Sequence, residues 1–281
     1  MEGRCRSGGV ADDERVVCSW RLILITQMLP MSSRPLRLLY VHGARPKLAH
    51  ASRGLAESAC DPCCTGLEAG PGGYKVVGLR DQGFDVIAPE MEMSLYDVRQ
   101  RNALLRNLLS PVSLFTRWPW RWLRGAMDES FSGCIAVQRL AVQEQPQESP
   151  FDVLVGSSWG AAVAAALLAD GTWSGPAVLL CPALQHKERW ALGSLDPSLS
   201  TDNITARLVE LPATRKASIL LVHGTGDNTV PFEDSQALSA ATGIPLELID
   251  GGSHGLGSIV RDGRLKEFID RVHSKARDGK A

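Results

Sequence analysis

Six short apolar runs recur along the chain: RLLYV (37–41), FDVIAP (84–89), VLV (153–155), AVLLC (177–181), SILLV (218–222) and LELI (246–249). Each is too short for a helix, and most are continuous rather than alternating. Runs of that kind, bounded by Gly and Pro, suit strands buried on both faces. Helical spacing falls between them. Residues 129–145 repeat Phe131, Ile135, Leu140 and Val142 at helical intervals, and 159–169 is rich in alanine. Residues 233–242 and 263–274 read as two further helices. Strand–helix alternation predicts a doubly wound α/β fold: a mostly parallel six-stranded sheet with helices on both faces.

The 281 residues are enough for one large domain of this kind. Residues 35–277 carry the pattern. Residues 1–34 lack periodicity and read as a disordered or weakly ordered extension. Three lid-like insertions interrupt the alternation, at 46–73, 94–125 and 182–216. Hydrophobic residues make up 44% and charged residues 22%, and the net charge is −1. That balance gives no global field favouring nucleic acid or an anionic membrane. The start of the chain has no sustained apolar core before a small-residue cleavage site, and Glu2, Asp12, Asp13 and Glu14 argue against a transit peptide. The expectation is a cytoplasmic protein. Seven cysteines, an odd count, do not form a disulfide scaffold in a chain this long. Cys134 and Cys181 sit in apolar segments and read as small core residues.

The chemistry concentrates at VGSSWG, residues 155–160. Two serines are adjacent, but Gly-x-Ser-x-Gly fits only Ser158, framed by Gly156 and Gly160. Around Ser157 the same positions hold Val155 and Trp159. Glycines are needed where a strand turns sharply into a helix and lifts the serine oxygen out of the sheet. By this frame Ser157 is a spacer. The motif follows the strand FDVLV and opens the helix AAVAAALLA, the setting a nucleophile elbow requires.

In these residues the chain resembles the α/β-hydrolase superfamily, particularly its small esterase-like branch, from Arg37 to the C-terminus. The resemblance implies an acid and then a histidine downstream. HGTGDNTVP (223–231) supplies Asp227 after the fifth strand, and IDGGSHG (249–255) supplies His254 after the sixth. Asp234 is a nearby substitute acid; Asp250 stands too close to His254 in sequence to be the expected one. The implied roles are Ser158 as nucleophile, His254 as general base and acid, and Asp227 as the group orienting the imidazole. The implied oxyanion donors are the backbone N–H groups of Trp159 and Ala44. His42 reads as a brace for the loop after the first strand, and His223 as structural. The implied reaction is cleavage of a carboxylic ester or thioester through an acyl-enzyme, with neither metal nor organic cofactor. The same residues could serve a peptide, lactone or carbon–carbon bond, or stand in a non-catalytic ligand-binding protein on a hydrolase fold. A small acyl substrate is the expected partner; the oligomeric state is not encoded.

Two other stretches carry residues with possible chemistry of their own. Cys60, Cys63 and Cys64 lack the second pair that a zinc site needs, so a flexible insertion is the better reading. Residues 94–125 interleave six arginines and one acid with Trp118, Trp120 and Trp122. A lid or packing insertion is favoured over a membrane-contacting surface, because the chain has no basic excess overall. Trp190 and Leu192, in the third insertion, are candidates for either pocket or core.

Overall fold

The computed structural model describes residues 34–42, 72–89, 91, 118–191 and 196–279, apart from the side chains of 118–129, 190 and 191. The expected extension at 1–34, save Arg34, lies outside them, as do the insertion 46–73 up to residue 71 and Ala44. Residues Leu36–Ala281 form one compact unit.

Six strands build the sheet: β1 (Arg37–Val41), β2 (Asp85–Ile87), β3 (Val153–Ser157), β4 (Ala177–Leu180), β5 (Ile219–Gly224) and β6 (Leu246–Ile249). The order is β2-β1-β3-β4-β5-β6, and every neighbouring pair is parallel. The "mostly parallel" expectation thus resolves to a wholly parallel sheet. Parallel neighbours require crossovers, and these carry the helices. In chain order they are α1 (Tyr74–Asp81), α2 (Trp118–Gln143), α3 (Trp159–Ala169), α4 (Leu184–Ala191), α5 (Thr201–Val209), α6 (Ala213–Ala217), α7 (Phe232–Thr242), α8 (Gly257–Arg261) and α9 (Arg264–Asp278).

Alternate strand residues feed two separate cores, as the pleat dictates. Leu39, Leu154, Leu179 and Leu221 pack with α2, α3, α5 and α7. Leu38, Val155, Leu180 and Val222 pack with α1, α8 and α9 on the opposite face. Helix α3 is buried from Trp159 to Leu168, so its alanines let it lie close to the sheet centre. Trp159 belongs to that core: it is 6% exposed and meets Phe131 edge-on, ring centroids 5.3 Å apart.

The third insertion, 182–216, is mostly helical. It contains α4, a 3₁₀ turn at Pro197–Leu199, α5 and α6. Ser200 caps α5 by accepting from Asn203 N–H, and Asp196 caps the 3₁₀ turn from Ser198 N–H. The last part of 94–125 is the start of α2, which runs on into the core at Phe131. Residues 94–117 lie outside the described residues. Among the described residues no helix is long and apolar enough to cross a membrane.

Candidate active site

Strand β3 runs through Ser157, and the chain then reverses at Ser158, which has φ 57° and ψ −117°. That is a strained conformation for a residue with a side chain. Backbone contacts over-determine it. Ser158 N–H donates to the Leu180 carbonyl at 2.8 Å, and its own carbonyl accepts from Ala161, Ala162 and Ala183. The flanking glycines are sterically required. A β-carbon at Gly160 would stand 2.0 Å from the Val41 carbonyl oxygen, and one at Gly156 would stand 2.7 Å from Ala161 Cα. The serine side chain makes no cap bond to its own helix, which leaves its hydroxyl for His254.

His254 reaches it from the loop after β6. Nε2 lies 2.8 Å from Ser158 Oγ, and Nδ1 lies 2.7 Å from Asp227 Oδ2. The two loops are tied together. Gly226 N–H donates to the Gly252 carbonyl at 3.0 Å, and Gly251 N–H donates to Thr225 Oγ1 at 2.8 Å. From the other side, the Tyr74 hydroxyl on α1 donates to the Gly255 carbonyl. His254 is therefore held by neighbours on both sides, with its ring partly open to solvent.

The Asp227 side chain is fully buried and completely coordinated. Oδ1 accepts from Thr229 N–H at 2.8 Å and Val230 N–H at 2.9 Å. Oδ2 accepts from His254 Nδ1 and, at 3.1 Å, from His223 Nε2. Burial alone would push this carboxyl up. The hydrogen bonds from His223 and His254, the charge of His254 and the Val230 N–H outweigh burial and hold it well below the usual carboxylate range. The rival acids are engaged elsewhere: Asp234 pairs with Arg189, and Asp250 accepts from Thr225 Oγ1 at 3.4 Å.

Of the two implied oxyanion donors, Trp159 N–H opens α3, where the first N–H groups have no intrahelical carbonyl to meet. Ala44 lies outside the described residues. His42 is 2% exposed, and its Nε2 donates to the Pro89 carbonyl at 3.0 Å, linking the ends of β1 and β2. In the 182–216 segment, Trp190 and Leu192 lie outside the described side chains, but His186 on α4 approaches the site. Burial and the Arg189 charge push its imidazole down, and it senses His254 and Asp227.

Several neighbours of the site were not visible from sequence spacing. Ser157 is no idle spacer: its hydroxyl accepts from Lys75 Nζ at 3.0 Å, and both residues are buried. Its side chain points to the opposite sheet face from α3, which is why the ammonium comes from α1. Cys181 is buried with φ 45°, and burial pushes its thiol far up. Cys181, Asp227 and His254 offer ligand atoms within 4.8 Å of one another. The His254–Asp227 separation of 2.7 Å is shorter than the roughly 3.3 Å edge of a tetrahedral zinc site. As arranged, these two groups close around a proton.

No protein-family model matches the sequence, and no curated protein matches it. Solved structures do. TT1662 from Thermus thermophilus superposes with a TM-score of 0.50 at 17% identity, covering 85% of this chain and 90% of its own. Est1E from Butyrivibrio proteoclasticus, with ferulic acid bound, gives 0.47 at 15% identity over 88% and 92%. A serine hydrolase without a lid from Xanthomonas campestris gives 0.46 at 14% identity over 85% and 82%. A wholly parallel sheet with its serine elbow after β3 completes the pattern. The chain has the α/β-hydrolase fold. In this α/β-hydrolase fold the elbow, acid and histidine loops all leave the C-terminal ends of strands, where open α/β sheets assemble sites.

Proposed function

We propose that this protein is a serine hydrolase that cleaves a carboxylic ester or thioester through an acyl-enzyme. The observation that carries the reading is the continuous relay from Ser158 Oγ through His254 to Asp227, with links of 2.8 and 2.7 Å. A serine hydroxyl is a weak nucleophile until an adjacent base takes its proton. His254 Nε2 is within reach to do so as Oγ attacks the carbonyl carbon. Asp227, held ionised, keeps the Nδ1–H tautomer and stabilises the imidazolium that forms. The carbonyl oxygen becomes an oxyanion, for which Trp159 N–H and Ala44 N–H are the proposed donors. The proton on Nε2 then passes to the departing alkoxide or thiolate. Water repeats the sequence on the acyl-serine, giving its proton to His254 and releasing the acid.

The test is labelling with a fluorophosphonate, comparing wild type with Ser158→Ala. Wild type should label at a single site, and the variant should not. Retained label in the variant removes Ser158 as nucleophile; unlabelled, well-folded wild type removes the hydrolase reading.

A further inference from the structure

Asp227 serves two imidazoles, and the reaction described above uses only one. His223 is wholly buried at the end of β5. Its Nε2 meets two acceptors, Asp227 Oδ2 at 3.1 Å and the Val230 carbonyl at 3.0 Å. Neither acceptor carries a proton to give, so Nε2 must carry the hydrogen. Its Nδ1 lies 2.6 Å from Ser235 Oγ on α7, and Ser235 is also fully buried. In the neutral ring that hydroxyl donates to Nδ1, which fixes the tautomer from behind.

We infer that His223 is a positioning residue for the triad acid, holding Asp227 Oδ2 in place for His254, with Ser235 setting its tautomer. This rests on the serine hydrolase reading. The two imidazoles divide one oxygen. Every proton donated by His223 draws charge from the oxygen on which the His254 imidazolium depends. Removing that donor leaves Oδ2 more negative, so His254 keeps its proton to higher pH. It also leaves Oδ2 held on one side only. Two other titratable groups bear on this cluster, Cys181 from the end of β4 and His186 from α4; these in turn feel Lys75 on α1, and Arg189 on α4 with Asp234 on α7. All are unchanged in the variants below.

The experiment compares wild type, His223→Met, His223→Gln and Ser235→Ala on a p-nitrophenyl acyl ester. Alongside it, the His254 imidazole is titrated by NMR, which needs no turnover. His223→Met should lower kcat about tenfold at unchanged KM. It should move both the acid limb of kcat/KM and the His254 midpoint upwards, since the unshared carboxylate oxygen favours the charged imidazole. His223→Gln, whose amide N–H reaches towards the position of Nε2, should restore both. Ser235→Ala should shift them in the same direction by less, and it carries the test if His223→Met does not fold. The inference is overturned if the His254 midpoint stays put in the folded variants, or if Gln fails to restore it. A shifted midpoint in an enzyme that neither turns over nor labels would instead count against the hydrolase reading.

Discussion

The tripeptide Val-His-Gly occurs twice, at 41–43 closing β1 and at 222–224 closing β5. Both histidines are buried, at 2% and 0% exposure. Their partners differ. His42 donates to the Pro89 carbonyl, a neutral acceptor past the end of the neighbouring strand. His223 donates to the Asp227 carboxylate, four residues on in its own turn. The same letters in the same strand-end setting thus make a strut in one place and a partner of the candidate triad in the other. What separates them is the acceptor: the turn after β5 brings Asp227 round, whereas His42 reaches to Pro89 beyond β2.

The difference can be attacked first at the acceptor. Asp227→Asn removes the anion that the β5 copy meets. Turnover should fall on the order of 10⁴-fold, the scale for losing the tautomer-setting acid of a triad, with circular dichroism unchanged. Retained turnover would reassign the acid. His42→Ala takes away the strut. Urea denaturation should show a loss of about 1–3 kcal/mol, for a partly buried carbonyl that loses its donor, with the acid limb of kcat/KM unmoved. An acid-limb shift there would erase the distinction between the two copies.

A subtler comparison uses pH. The Asp227 carboxyl is depressed in the folded protein, so its contribution to stability is present above the ordinary aspartate value. That contribution is lost as pH falls towards the depressed value. The stability gap between wild type and Asp227→Asn should therefore be flat from pH 7 to about 4 and narrow only below that. Narrowing at pH 5 or 6 would mean the acid is not held down. The smallest effect is expected at Ser157, neighbour to the proposed nucleophile but bonded to Lys75 on the other face. Ser157→Ala should cost about 1.5 kcal/mol, the low end for a hydrogen bond to a charged group, and leave the rate of fluorophosphonate labelling unchanged.

Much of this was legible in residue order. The strands were readable because burial on both faces leaves an unbroken apolar run. The elbow, Asp227 and His254 were readable because each stands at a fixed offset from a strand end. Helix α1 was hidden by Lys75, a charged residue on its buried face, where periodicity looks for an apolar one. The helices of 182–216 are short, and their cap residues, Asp196 and Ser200, were the available signal. The Lys75–Ser157 bond joins residues 82 apart across the sheet, and no local spacing encodes it. His223 left a fainter trace: its i,i+4 relation to Asp227 and the repeated tripeptide.

Gly160 carries a consequence for heredity. Its α-carbon sits against the end of β1, with no space for even a methyl group beside the Val41 carbonyl. A descendant of this chain could keep Ser158, Asp227 and His254 letter for letter, substitute position 160, and lose the seat on which the serine stands.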